Sequence, residues 1–408
     1  MNVVGIDVSK GKSTAAAVQP LGKVVISPYE VAHTTDAITR LVERLGTLSG
    51  ETKVVMEYTS MYFYPIAAAL HEAGMFVSIV HSKLIHDYNN DTIRRIKTDP
   101  KDALKIANYG LDKWLKLRRW LPEEDLRKQL KLVTRQYWKY SSLRAMLINN
   151  FKILVEQTFP GVSDLFTSGP RKSDGHEKWH DFAMEFWHCE CVRNGSPGEF
   201  DERYLAWCKA NHYSYKKSKA EDIYMAACGH PCLLPKDDTT QFLIQHAIKQ
   251  LNAVSESKAA FAEHMKSIAE QLPEYPIVMG MQGVGELLGP QLMAEIGNIR
   301  RFNKKGSLVC YAGLESPPFQ SGKFEAKSRS VSKKGSPHLR RTLFQVMIGQ
   351  LQRGNADDPV FNFLDRKRAE GKNYYCYMTA GCTKFLRIYY ARVKEYLEQL
   401  EVEVKAEA

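Results

Sequence analysis

The first 111 residues alternate short apolar runs with amphipathic stretches, and their order leaves few sheet topologies open. VVGIDV at 3–8, Thr14–Val18 and Lys23–Val31 read as three strands, with Gly22 in the turn between the last two. Thr35–Leu48 carries Ile38, Leu41, Val42 and Leu45 at helical spacing. KVVME at 53–57 is another strand and ends in an acid. Tyr62–Gly74 is a helix closed by glycine, FVSIV at 76–80 a buried-type strand, and helical material runs from Ser82 to about Leu111. Three meandering strands followed by α/β crossovers build a mixed sheet with helices on its faces.

Two long stripes follow. Leu126, Leu130, Val133, Tyr137 and Tyr140 alternate steps of four and three, and Leu143, Leu147, Phe151 and Leu154 continue the series through a helix over Glu123–Thr158. Leu251, Val254, Phe261, Met265, Ile268 and Leu272 form a second stripe that stops at Pro273. Seams near 3.5 residues are those of an antiparallel coiled-coil pair, and an ordinary helical bundle shares the pattern. Between them, about 162–238 reads as an irregular insertion at the tip. The expected division is 1–115, an α/β domain; 116–276, the helix pair with its insertion; and 277–408, a mainly helical domain.

Composition narrows the partners. Lys and Arg exceed Asp and Glu by 11, which favours a polyanion. No apolar run approaches the ~20 residues of a membrane span, and MNVVGIDVSK has no signal-peptide pattern, so the expectation is a cytoplasmic protein. The eight cysteines are then expected to be thiols. His188, Cys189, Cys191, Cys208, Cys228, His230 and Cys232 cluster loosely. However, Cys189-Glu190-Cys191 is tighter than a Cys-x-x-Cys knuckle, so buried thiols are expected ahead of zinc.

The acids carry the chemistry. Asp7 lies in the first strand, Glu57 ends the strand after the first helix, and Asp99 and Asp102 share a helix face. Asp99-Pro100-Lys101-Asp102 is also a good helix start, with Asp99 as the cap. If the first and fourth strands are neighbours and the helix packs over their ends, four carboxylates converge. Two of them ~5 Å apart repel by roughly 3 kcal/mol at an effective dielectric near 20. Divalent cations remove that cost, and a metal pair stabilises attacking and leaving oxygens in phosphodiester chemistry.

GIDVSKGKSTAAAV, VVMEYT and KTDPKDALKIA, in this order, resemble the three acidic motifs of the insertion-sequence one-ten family of DEDD transposases, the bridge-RNA-guided recombinases. The resemblance spans about 1–155 and 275–350. It implies an RNase H/RuvC-like sheet and Mg²⁺, with Mn²⁺ as a substitute, held by Asp7, Glu57, Asp99 and Asp102. It also implies action on donor and target DNA (at the nucleoid), a structured guide RNA, and a homo-oligomer, dimer or tetramer.

YAGLESPPFQSGKFEAKSRSVSKKGSPHLRR resembles the family's C-terminal transposase domain, which implies a nucleophilic serine before a glycine, here Ser321 before Gly322. Ser328, Ser330 and Ser332 compete by position. From Ile299 to Arg341 eleven Lys and Arg face only Glu315 and Glu325. Of these, Arg300, Arg301, Lys304, Lys305, Lys333, Lys334, Arg340 and Arg341 are the candidate phosphate contacts. Gly283-Val284-Gly285 reads either as a phosphate-approaching hairpin turn between helices or as a plain packed turn. Tyr137, Trp138 and Tyr140 suit either base stacking or the helix seam. Three other readings stay open: a junction-resolving nuclease using water, a non-catalytic nucleic-acid-binding protein, and an actin-like phosphotransferase, for which no second phosphate loop is evident.

Overall fold

The computed structural model describes residues 1–88, 98–171, 173–318, 320–321, 324–325 and 330–407. They fall into two compact units, Met1–Glu123 and Glu124–Ala408.

In the first unit, β1 (Asn2–Val8), β2 (Lys12–Gln19) and β3 (Lys23–Ala32) form an antiparallel meander. Then come α1 (Thr35–Gly46), β4 (Thr52–Glu57), α2 (Tyr64–Glu72), β5 (Phe76–Val80), α3 (Ser82–Asp87) and α4 (Asp99–Asp112). The sheet order is β3-β2-β1-β4-β5, with β4 parallel to both β1 and β5. This is the mixed sheet of the RNase H/RuvC-like class. Alternation sends Val4, Ile6, Val54 and Met56 to a core shared with α1 and α2, and Val3 and Val55 to one shared with α4.

The helical material expected from Ser82 to about Leu111 includes α3 and, after a separate start, α4. Tyr88, after α3, is extended, as is Thr98 before α4, and Pro100 suits a first helical turn rather than an interior. The cap moves by one residue. The Thr98 carbonyl accepts from the amides of Lys101 and Asp102 at 2.9 and 3.0 Å, so Asp99 is already inside the helix.

The second unit is helical: α5 (Asp125–Thr158), α6 (Lys178–Glu185), α7 (Cys189–Arg193), α8 (Pro197–Ala210), α9 (Lys217–Gly229), α10 (Asp238–Ala269), α11 (Tyr275–Met279), α12 (Leu288–Ile296) and α13 (Lys305–Ala312). A short hairpin of β6 (Gln320–Ser321) and β7 (Phe324–Glu325) follows, then α14 (Pro337–Arg353), α15 (Pro359–Ala369) and α16 (Tyr374–Glu407). The stripes of α5 and α10 do meet antiparallel. Thr134 contacts Met265 at 3.2 Å, Arg144 donates to Ser255 at 2.9 Å, and Phe151 and Val155 share a core with Ile244 and Ile248. One end of the pair packs with α11–α16, where Arg127 and Glu274 form a bidentate ion pair with side chains only 3% and 2% exposed.

At the other end, the described residues of the stretch expected to be irregular include four α-helices around Phe182, Phe186, Phe200, Tyr204 and Trp207. Pieces of 5 to 14 residues are too short to show a period, although the capping box of Ser196 and Glu199 marks one start. Cys189 and Cys208 are buried thiols there, and burial pushes Cys189 up to about 12. Both ring nitrogens of His188 are engaged, Nδ1 accepting from the Glu190 amide and Nε2 meeting the Leu234 carbonyl, each at 3.1 Å.

Candidate active site

Ile6 of β1 lies opposite Met56 of β4 in a parallel pairing, so Asp7 and Glu57 come next on adjacent strands, ~4.8 Å apart. Both share the strand face of Val3 and Val55, the face that α4 covers. Thr14 of β2 lies opposite Asp7 on the other side.

Small residues set how closely α4 approaches. A Cβ on Gly110 would meet Val3 and Val55 at 2.6 and 2.8 Å, and one on Gly5 would meet the Ala103 carbonyl at 2.2 Å and the Ala107 amide at 2.4 Å. The helix therefore runs from Gly110 over Val3 to Ala103 over Gly5. One turn further brings Asp99 to the row of Asp7, while Asp102 lies one turn before buried Ile106. The backbone thus gathers all four sequence-predicted acids at one end of one sheet face.

Gly5→Ala is expected to cost about 3 kcal/mol, the upper part of the range for overpacking, because its new methyl meets backbone on both sides. Gly110→Ala should cost less, since its neighbours are side-chain methyls. Denaturant unfolding of the full chain checks both, and an unchanged midpoint for Gly5→Ala would refute this packing.

The side chains themselves do not close around a common point. Among the described residues, no three His, Cys, Asp or Glu groups come together at ligand distance. Asp99 is exposed, and Asp7, Glu57 and Asp102 are half-buried. The donors are carboxylates only, and that chemistry fits a hard divalent cation. Lys12, missed in the sequence reading although it lies in GIDVSKGKS, stands beside this group. Its hydrogen bond to Glu30, 2.6 Å long, raises its pKa most, and the charge of Asp99 adds to the effect.

In the second unit, Ser321 is the last paired residue of β6, opposite Phe324. Gly322, Ser328, Lys323, Lys327 and Arg329 lie outside the described residues. Of the competing serines, Ser330 is exposed, whereas Ser332 donates to Glu315 Oε1 at 2.6 Å and accepts from the Lys334 amide at 3.2 Å.

The basic residues divide. Lys304, Lys305, Lys333, Lys334 and Arg341 are exposed. Arg300 pairs with Glu401, and Arg301 lies over the rings of Phe302 and Tyr311 at 4.7 and 4.5 Å. Arg340 is structural: it donates to the carbonyls of Ala312 and Gly335 at 2.8 and 3.2 Å, and burial lowers its pKa.

Trp138 is buried and stacks on His338 at 4.5 Å, and Tyr140 packs on Phe261 at 5.0 Å, so both serve the helix packing. Gly283 has φ +79°, and a Cβ there would meet α14 at 2.9 Å, which makes its turn a packed one. Among the described residues, no helix is long and apolar enough to cross a membrane.

Comparison with known proteins agrees with the acidic motifs. Residues 4–160 match the family DEDD_Tnp_IS110, described as Transposase, and residues 275–359 match the family described as Transposase IS116/IS110/IS902. The 44.8 kDa protein of insertion element IS116 from Streptomyces clavuligerus is 23% identical over 324 residues, 78% of this chain and 77% of that one. Among solved structures, Thermus thermophilus RuvC aligns at 16% identity, covering 28% of this chain and 95% of that one with a TM-score of 0.23. The same protein with a Holliday junction substrate gives the same identity and score. The sheet class follows from strand order and register, independently of these superpositions. Two family matches that take in both the acid-bearing unit and the block around the short hairpin, with a relative aligned across most of both chains, establish that this protein belongs to the IS110/IS116 family of transposases.

Proposed function

We propose that the protein is a DNA recombinase that cuts and rejoins strands through a covalent serine–DNA link. Asp7, Glu57, Asp99 and Asp102 would hold Mg²⁺, or Mn²⁺ in its place, and Ser321 is the nucleophile. The observation that carries this reading is the register of β1, β4 and α4, which brings strand-ending acids under an acid-bearing first turn.

Bound there, Mg²⁺ supplies charge neutralisation for the scissile phosphate and lowers the cost of a serine alkoxide. The Ser321 hydroxyl oxygen forms the new bond to phosphorus as the bond to one sugar oxygen breaks. The serine proton goes to solvent or a basic group, and the departing sugar oxygen takes up a proton to leave as a hydroxyl. One phosphate ester replaces another, so the reverse attack by a sugar hydroxyl rejoins DNA without an external energy source. The exposed cations of 304–341 grip phosphates and set affinity and register. Family membership supports a guide RNA as the source of target choice, and an oligomer in which units of different protomers complete one site.

The test is incubation of purified protein with its element's end and target DNA, with Mg²⁺ or with chelator, followed by a denaturing gel. A DNA-linked protein band with Mg²⁺ and none with chelator is expected. Cutting without the band would make it a water-using nuclease, and retention without cutting a binding protein. Sequencing of co-purified RNA tests the guide.

A further inference from the structure

We propose that the loop following Glu57 is a stacking platform for an unpaired nucleobase of the strand being cut. This reading rests on the function proposed above and names the part of the substrate that the acid end of the sheet grips.

Glu57 ends β4, and the next five residues are Tyr58-Thr59-Ser60-Met61-Tyr62. Tyr58 and Met61 are each 57% exposed and Tyr62 is 38% exposed. Three large, mostly apolar side chains in five residues keep a costly surface in water, in the loop that leaves β4 at Glu57. The loop is also held in place. The Tyr58 amide donates to the Val80 carbonyl at 2.8 Å, Tyr62 to Thr59 at 3.2 Å, and Tyr64 to Met61 at 3.2 Å. Phe63 is buried, edge-on to Trp120 at 6.2 Å, and the Tyr58 ring tilts against Phe63 at 5.4 Å. Ser60 has φ +48°, a left-handed conformation that side-chain-bearing residues avoid. Strain of that kind persists where surrounding contacts over-determine it, and it concentrates at working sites. The Phe63 ring is buried, and the Tyr58 ring is held against it.

The occupant follows from the neighbours. Tyr58 follows Glu57 in the chain, at the end of the sheet that also carries Asp7. An anionic lipid surface is repelled there. A nucleobase whose own phosphate is bound at the carboxylates through cations is not. Bases inside a duplex already have both faces stacked, so the platform selects a base that is unpaired or at a strand end. Stacking on aromatic rings tolerates any base, because every base has a π-face.

The experiment uses the full-length protein and a single-stranded oligonucleotide carrying 2-aminopurine, in Ca²⁺. Wild type is expected to quench the fluorescence. Tyr58→Ala and Tyr62→Ala should each weaken binding about tenfold and lose the quenching, a loss of the size base–aromatic stacking provides. Tyr58→Phe and Tyr62→Trp should restore both, which a merely structural role would not require. The quenching is read from binding alone, with no cutting step. The stacking result therefore stays readable even if wild type proves unable to cut DNA. Alanine variants with wild-type affinity and quenching would overturn the proposal. So would variants that change the oligomeric mass in light scattering while leaving the fluorescence alone, since the loop would then be a protein interface.

Discussion

Asp7→Asn is expected to lower metal-dependent strand cutting by about 10³-fold, the scale lost when one preorganised electrostatic group is removed from a transition state. The substitution keeps the side-chain shape and removes one charge from the centre of the acid group, between Thr14 on one strand and the Glu57 position on the other. Its register beside Glu57 and beneath the first turn of α4 makes Asp7 the residue to which the other three acids are referred. Cutting assays with an unfolding midpoint measured in parallel check the outcome. A variant that folds and cuts at the wild-type rate would remove Asp7 from the chemistry and, with it, the four-acid site.

Ser321→Ala is expected to abolish the covalent protein–DNA product altogether, because alanine has no atom able to form the phosphate ester. Ser332→Ala is the informative comparison. The Ser332 hydroxyl is committed to Glu315 at 2.6 Å, so its loss should disturb the loop and leave the adduct in place. Denaturing gels of both variants with the same labelled DNA decide the matter. An adduct that survives Ser321→Ala and disappears with Ser330→Ala would move the nucleophile along the same segment. Cutting at an undiminished rate without any adduct would favour water as the nucleophile.

Much of the first unit was legible because its signals are local. Each strand is a short apolar run, each helix has a period, Asp7 and Glu57 stand at the ends of their strands, and Asp99 and Asp102 stand at the start of a helix. The spacing of α5 and α10 likewise announced two long helices with a shared seam. The insertion was illegible for the opposite reason: its helices are brief, and only the packing of Phe182, Phe200 and Trp207 holds them together. A basic count could not tell Arg340, spent on two backbone carbonyls, from exposed Lys334 one stretch away.

The amino-acid order by itself therefore determined the kinds of element, their succession and the carboxylates they carry, since these depend on periodicity and on chemistry confined to a few neighbouring residues. Only the tertiary structure decided that Gly5 and Gly110 let a helix lie close enough to β1 for its first turn to reach the acid end of the sheet. It also decided that Trp138 faces a histidine rather than solvent, and that Tyr58, Met61 and Tyr62 stand outward beside Glu57. Those facts turn on which backbone approaches which, over separations of tens to hundreds of residues, and steric fit at that range leaves no periodic trace in the chain.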